Sequence, residues 1–575
     1  MKMGAKSTRK KIAIGRFFCS AIVGAALIAV GQSALVTSVS LAGDRAALMA
    51  QHRGGTMRLL AVAAEGTADP HINYSLKYWQ VFQYTYDGLL AFKKAKLEDG
   101  FIVVPDLAEA LPQPQDDGRT YVFRLRNGIK FSNGQDVTVT DVVASFQRIF
   151  KVLGPTAGTF YNNIVGADIC LKNPDTCTLN GGIIGDADAG TITFHLTQVD
   201  PEFFFKLSVP HASVLPVSTP AKDQGTTPIP GTGAYVIKSY NPNKQMVLVR
   251  NPYFKEWNVD AQPDGYPDEI VYDFGLTEEG AITAIQNGQA DWMYDAVPAD
   301  RLNEIGTQFA NQTHVTPLTA FWYAPMNTNL APFNDIRVRQ ALNYAIDRDQ
   351  LVILYGGRAL AQPACQVLPP NFPGHDDNCI YTKAPGSAWS APDLDKAKDL
   401  VKKSGTAGQK VTVIAANEAV SKAIGTYLQS VLADLGYDAS VKAISPNIQG
   451  TYIKNSNNNV QISITQWYPD YPAASNFLYV LLSCASFTPG SDNAQNSAQF
   501  CDKNFDAKMK AALRQAIADP EGANKAWAAI DKEAMEKSPI LPLITPKHVD
   551  FVSKRLGNFV FSNQFLFVFS QAWVK

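Results

Sequence analysis

From Thr120 to Arg126 the chain reads TYVFRLR, where Tyr121, Phe123 and Leu125 alternate with more polar neighbours. A period of two predicts a strand with one buried face. Asn127-Gly128 turns it, and after Asn133-Gly134 the residue Thr140 stands as a cap for a helix whose Val142, Val143, Phe146, Ile149 and Phe150 share one stripe. Thr191 to Leu196 alternates again. Pro230 to Phe254 holds two strand-like runs around Asn241-Pro242-Asn243. Gly231 and Gly233 precede the first run without the third spaced glycine or the Lys-Ser/Thr ending of a phosphate loop, so they read as a tight turn into a strand.

The pattern changes further along. Asn334 to Asp347 is amphipathic through Val338, Leu342, Ala345 and Ile346. Asp347 with Gln350 resembles the cap of a following helix that ends at Gly356-Gly357. From Leu394 to Ile444 the order is helix, strand (Val411 to Ala415), helix (about Ala419 to Leu435), strand (Ala439 to Ile444). Such alternation predicts a sheet flanked by helices. A strand over Val460 to Thr465 follows an Asn-rich loop and delivers Trp467 and Asp470 at its carboxyl end, the edge where open α/β sheets bind ligands.

With 575 residues the chain is too long for one core, and at about 100 to 200 residues per domain it divides into two to four. Its 51 basic and 52 acidic residues leave a net charge of −1, which excludes a general attraction to nucleic acid or to an anionic membrane. Lys2, Lys6, Arg9, Lys10, Lys11 and Arg16 precede an uncharged stretch from Phe17 to Gly31 and small residues through Ala42, the order of an export signal over 1–42 with a cut ahead of Gly43. The competing reading is a membrane anchor, for which the apolar run is short against the roughly 20 residues of a span.

Cysteine usage agrees with export. Cys19 lies in the signal, and the other six form three sequence-local couples, Cys170 with Cys177, Cys365 with Cys379 and Cys484 with Cys501, expected to pair under oxidising conditions. No compact CxxC spacing suggests zinc and the histidines are dispersed, so no metal or other cofactor is expected. Neither GxSxG nor HExxH occurs, which places a secreted hydrolase behind a binding protein.

Several long motifs then follow one another in a recognisable order: GGTMRLL and YDGLL, VVPDLAEAL, LRNGIKFSNGQDVTVTDVVASFQRI, GTGAYVIKSY, NDIRVRQALNYAIDRDQLV and SPILPLI. From about residue 54 to near its end the chain resembles the family 5 solute-binding proteins of ABC importers, which include oligopeptide and dipeptide receptors. The resemblance implies an α/β, two-lobed periplasmic-binding-protein type II clamp with three domains and two hinge crossings, near 317 to 327 and 540 to 550. Domain I would comprise 43–92, 205–318 and 545–575, domain II 93–204, and domain III 319–544. It further implies a periplasmic monomer, not an enzyme, that traps a peptide or other small solute between its lobes and presents it to a membrane permease with its ATPase subunits.

In peptide receptors of this family an Asp three residues after a Trp pairs with the ligand's α-ammonium group, and Trp467 and Asp470 keep that spacing. Enclosing an ammonium removes its water, and an opposite, hydrogen-bonding charge makes that tolerable. Trp467 and Tyr471 would flank the acid with stiff aromatic surface. Trp322 on the first crossing strand, and Tyr74 and Trp79 near the mature start, are further candidates. Two departures steer the reading. Ala473-Ala474-Ser475 stands where the family often has Asp-Pro-Asp, and AANEAVSKA after Val411 to Ala415, the region from which dipeptide receptors fix the ligand's carboxylate with a basic residue, is without an arginine. Oligopeptides therefore fit better than dipeptides, with a non-peptide amine-bearing or cationic solute as the alternative.

Overall fold

The computed structural model describes residues 47–298, 300–492 and 494–575, so the expected export signal lies outside the described residues. Residues 1–53 form a unit of their own, of which a helix at 47–52 is described; residues 54–575 form the other. Among the described residues no helix is long and apolar enough to cross a membrane.

The larger unit is mixed α/β and is built on separate hydrophobic clusters. In the first, a five-stranded sheet runs in the order Trp292–Met293, Thr56–Ala61, Glu269–Phe274, Gln245–Arg250, Tyr235–Asn241. Its two Thr56–Ala61 pairings are parallel and the others antiparallel. A three-stranded sheet of Thr120–Arg124, Thr191–His195 and Ile183–Asp186 supplies Phe123, Ile192 and Phe194 to the same core, the face that the alternation of TYVFRLR and TITFHL predicts. The second core is aliphatic, with Val338, Leu342, Val411, Val413, Ile424, Leu428 and Ile462 around the parallel strands Asp438–Ile444, Lys410–Ala416 and Ile462–Ser463. A third, beside it, gathers Phe321, Phe477, Leu478, Trp527 and Met535.

Two stretches of chain join the first of these bodies to the others. The 12-residue strand Ile540–Phe551, roughly 40 Å long, pairs through its first half with Phe321–Pro325 and through its second half with Thr313–Pro317. Leu541, Leu543 and Ile544 belong to the aliphatic core, whereas Val549 and Phe551 pack with Leu60, Ile282 and Ile305. The chain thus crosses once over 313–325 and returns over 540–551, the geometry of a two-lobed clamp with two hinge crossings. Residues 552–574 then re-enter the first core through Phe565, Phe567 and Phe569.

Local chemistry places the elements, with two corrections. The helix Val139–Lys151 is capped by Thr138, not Thr140: the Thr138 hydroxyl accepts from the Asp141 N–H, and the Asp141 carboxylate accepts from the Thr138 N–H at 2.8 Å. This reciprocal box satisfies two otherwise orphaned donors, which Thr140, inside the first turn, cannot do. The expected strand Val460 to Thr465 is two: Ile462–Ser463 lies parallel to Lys410–Ala416, and Thr465–Trp467 lies antiparallel to Phe321–Pro325. The chain changes sheets at Ile464, whose N–H donates to the Ile414 carbonyl while its own carbonyl accepts from Gln449. Gly231 and Gly233 are set by close approach, since a Cβ on either would sit 1.9 Å from the Thr85 carbonyl oxygen or 2.2 Å from that of Tyr84. The sulfurs of Cys170 and Cys177, Cys365 and Cys379, and Cys484 and Cys501 lie 2.11, 2.05 and 2.14 Å apart.

Candidate functional site

Asp470 sits in the short connection between Thr465–Trp467 and the helix Ser475–Leu482. Asn476, fully buried, fixes it from both ends: its Oδ1 accepts the Asp470 N–H at 2.9 Å and its Nδ2 donates to Asp470 Oδ2 at 2.9 Å. Gln564, far along the chain, donates to the Asp470 carbonyl at 2.7 Å. The remaining carboxylate oxygen, Oδ1, accepts the Tyr74 hydroxyl at 2.5 Å. Tyr74 immediately precedes the helix Leu76–Thr85, whose cap Ser75 accepts from the Tyr78 N–H. Tyr74 as a whole residue is 41% exposed, yet its ring rests on Trp79 at 5.4 Å and His211 at 5.2 Å and its hydroxyl is turned inward to Asp470. Trp79 itself is buried and donates its indole N–H to the Asn73 carbonyl, so it supports Tyr74 rather than facing outward.

No cation lies within ion-pair distance of Asp470 among the described residues. Burial pushes its carboxyl up to about 6, against the hydrogen bonds from Tyr74 and Asn476 and the positive charge of Lys454, which pull it down. Lys454, the last residue of the helix Pro446–Lys454, is half-buried and is in turn lowered by burial, with the Asp470 charge opposing. Tyr74 is raised by burial first and then by the Asp470 charge. An acid whose hydrogen bonds come only from neutral donors, with its one cationic neighbour beyond ion-pair distance, has room for a charged partner in direct contact.

The other expected residues are distributed differently. Register pairs Phe321 with Trp467 and Trp322 with Gln466, so Trp322 and Trp467 point to opposite faces of the strand pair. Trp467 packs against the core around Phe477, and Trp322 against the aliphatic core, edge-on to Tyr355 at 5.6 Å. Tyr471, expected beside a ligand amine, is 4% exposed and plugged into the first core, stacked on Phe205 at 5.9 Å and edge-on to Phe160 at 5.6 Å. The structure therefore brings Tyr74 to Asp470, sets Trp79 behind Tyr74, and leaves Trp322 and Tyr471 turned elsewhere. Sequence reasoning misses Asn476, Gln564 and Lys454. Only Asn476, six residues after the acid in the same motif, had a local signal. Among the described residues no group of three His, Cys, Asp or Glu side chains could hold a metal ion.

The profile of the bacterial extracellular solute-binding proteins, family 5 Middle, matches residues 103–489, about two thirds of the chain. The chain belongs to family 5. Within the wider set of relatives, the periplasmic oligopeptide-binding protein OppA of Salmonella typhimurium is 26% identical over 466 residues, covering 77% of this chain and 79% of that one. Among solved structures, the clavulanic acid biosynthesis oligopeptide binding protein 2 superposes with a TM-score of 0.81 at 22% identity, over 91% of this chain and 96% of the other. The periplasmic binding protein DppA from Helicobacter pylori, in complex with the peptide STSA, gives a TM-score of 0.73 at 21% identity, over 91% and 98%. At these identities the two structures show that this family 5 chain shares their fold.

Proposed function

We propose that the protein is the solute receptor of an ABC importer and captures peptides, oligopeptides in particular, by their free α-ammonium group at Asp470. The observation that carries this reading is a carboxylate at the join of the two lobes, held in place on three sides yet, among the described residues, with no cation in ion-pair contact. A ligand ammonium supplies the missing charge, and Tyr74 and Asn476 keep both carboxylate oxygens aimed while it does so. The reading is supported by relatives named for oligopeptide binding and by a solved neighbour that carries a peptide. Trp467, half-buried three residues before the acid, would contribute apolar surface next to it.

In this reading residues 43–92, 205–318 and 545–575 form one domain, 93–204 a second and 319–544 the opposing lobe. The separation of the aromatic first core from the aliphatic one supports setting 319–544 apart as the opposing lobe. The protein acts in the periplasm after export as a monomer, binds without turnover, and hands its ligand to a permease and its ATPase subunits.

Mass spectrometry of solute released on unfolding the purified protein tests the assignment, followed by titration calorimetry with trialanine and tetraalanine and with their N-acetylated forms. The free-amine peptides are expected to bind one to one, near micromolar, about −8 kcal/mol, and to be recovered intact. Equal binding of the acetylated forms, or cleavage of the peptide, would overturn the reading.

A further inference from the structure

Among the described residues, Tyr471 is the only buried side chain between positions 310 and 550 that joins the first hydrophobic core. Its ring is clasped by Phe160 and Phe205, and its hydroxyl donates to Glu202 Oε2 at 3.1 Å. The Ser475 hydroxyl donates to the other oxygen, Oε1, of the same carboxylate. Both oxygens of Glu202 are thus taken by hydroxyls from the short segment that carries Asp470. Glu202 is firmly seated on its own side. Its N–H donates to Asp200 Oδ1 at 3.1 Å, Lys206 Nζ sits 2.7 Å from Asp200 Oδ2 and 3.8 Å from Glu202 Oε2, and the Lys206 carbonyl accepts the Tyr161 hydroxyl at 2.8 Å.

The partners belong to bodies linked, among the described residues, by the two crossings and by contacts made across them. Phe160 and Phe205 are part of the first core, whereas Phe477 and Leu478, in the helix that Ser475 begins, are part of another. Opening the cleft would draw an aromatic ring out of its cage into water and exchange two hydroxyl donors on the Glu202 carboxylate for water molecules, which loses the ring's burial and the net gain of two hydrogen bonds to a charged group. None of these contacts involves the Asp470 carboxylate. Their free energy therefore favours closure whatever the ligand is.

We propose that Tyr471 and Ser475, docked on Glu202 and the Phe160–Phe205 cage, form a ligand-independent latch that sets how often the cleft closes and so positions Asp470. Tyr471 is then a positioning residue rather than a ligand contact. If the free protein is closed for only a fraction of the time, the apparent affinity scales with that fraction, and weakening the latch lowers affinity for every ligand by one common factor. The affinity arm of this inference rests on the receptor reading above; the closure arm does not.

The variants Tyr471→Phe, which keeps the ring and removes the hydroxyl, and Ser475→Ala test it. Calorimetry with trialanine, trilysine and tetraalanine should show the three affinities falling together, by roughly tenfold to a hundredfold, with ratios between peptides unchanged. Small-angle X-ray scattering of the ligand-free variants should give a larger radius of gyration than the parent. Unequal factors among the peptides would make Tyr471 a ligand contact and overturn the latch, as would an unchanged scattering curve. Should no peptide bind the parent protein, the receptor reading fails, and the scattering comparison still decides the latch.

Discussion

Asp69 and Asp470 are both drawn out of bulk water, in different parts of the molecule and with different company. Asp69, with no exposed surface, receives Arg148 through two N–H groups at 3.0 and 2.5 Å and the backbone N–H of His71 at 3.1 Å. Asp470 receives a phenol and a carboxamide and no cation among the described residues. Removing a carboxylate from water costs several kcal/mol unless an opposite charge and hydrogen bonds replace it. In the first case the chain completes the replacement internally, and the acid serves stability. In the second it stops one charge short, at the place where the two lobes meet. On the proposed reading, the contrast separates an acid that holds the fold together from one that awaits something outside it.

The largest expected effect lies on the structural side of that comparison. Arg148→Met leaves Asp69 buried without its cation and should lower unfolding stability by about 3 to 5 kcal/mol, read by chemical denaturation, with peptide preferences unaltered. Next, Asp470→Asn should weaken amine-bearing peptides by roughly 2 to 5 kcal/mol in calorimetry while leaving stability equal or slightly raised, since it removes an uncompensated charge. A loss of stability comparable to that of Arg148→Met would place Asp470 in the same class as Asp69 and dissolve the distinction.

Acidity sharpens the same point. Burial holds the free Asp470 carboxyl up at about 6, and an ammonium ligand binds the ionised form, so binding lowers that value. Affinity is greatest between that value and the ligand ammonium's own pKa, about 8, and falls as the pH drops through about 6, approaching about tenfold per pH unit. Asp470→Asn should flatten this profile. The smallest effect is expected for Tyr74→Phe, which removes a donor that stabilises the carboxylate. Because Tyr74 is 41% exposed, the cost in affinity should be about 1 kcal/mol, and the pH midpoint should move upward.

Short-range features of this architecture were legible in the residues alone. The alternation of TYVFRLR places Phe123 in the core, and Asp347 caps the helix Arg348–Tyr355 by accepting from the Asp349 and Gln350 N–H groups. The helix start at Thr138 was missed because Thr140 also offers a hydroxyl, and only Asp141, three residues after Thr138, completes a reciprocal pair. Asp470 stood out because an acid among Trp467, Tyr468 and Tyr471 demands a reason. What surrounds it did not, because Tyr74 lies 396 residues away in sequence and Glu202 is 269 from Tyr471. Period and composition indicate that a tyrosine is buried or exposed along its own element. They carry no information about which distant body receives it, so the sequence points Tyr471 toward a ligand while the structure seats it against Phe160 and Phe205.

The return of residues 552–574 to the first core bears on how the chain matures. Thr56–Ala61 and Leu76–Thr85 leave the ribosome early, yet Gln80 needs the Phe567 carbonyl at 3.0 Å, Tyr84 lies against Phe569 at 4.4 Å, and Gly55 lies against Val574. The intervening aliphatic core draws its partners almost wholly from 322 to 544 and can assemble first. The opening segment, with the ring of Tyr84 and the carboxamide of Gln80 lacking these neighbours, must wait for residues 552–574 to arrive. A stop codon near the end of the message would therefore injure the beginning of the protein.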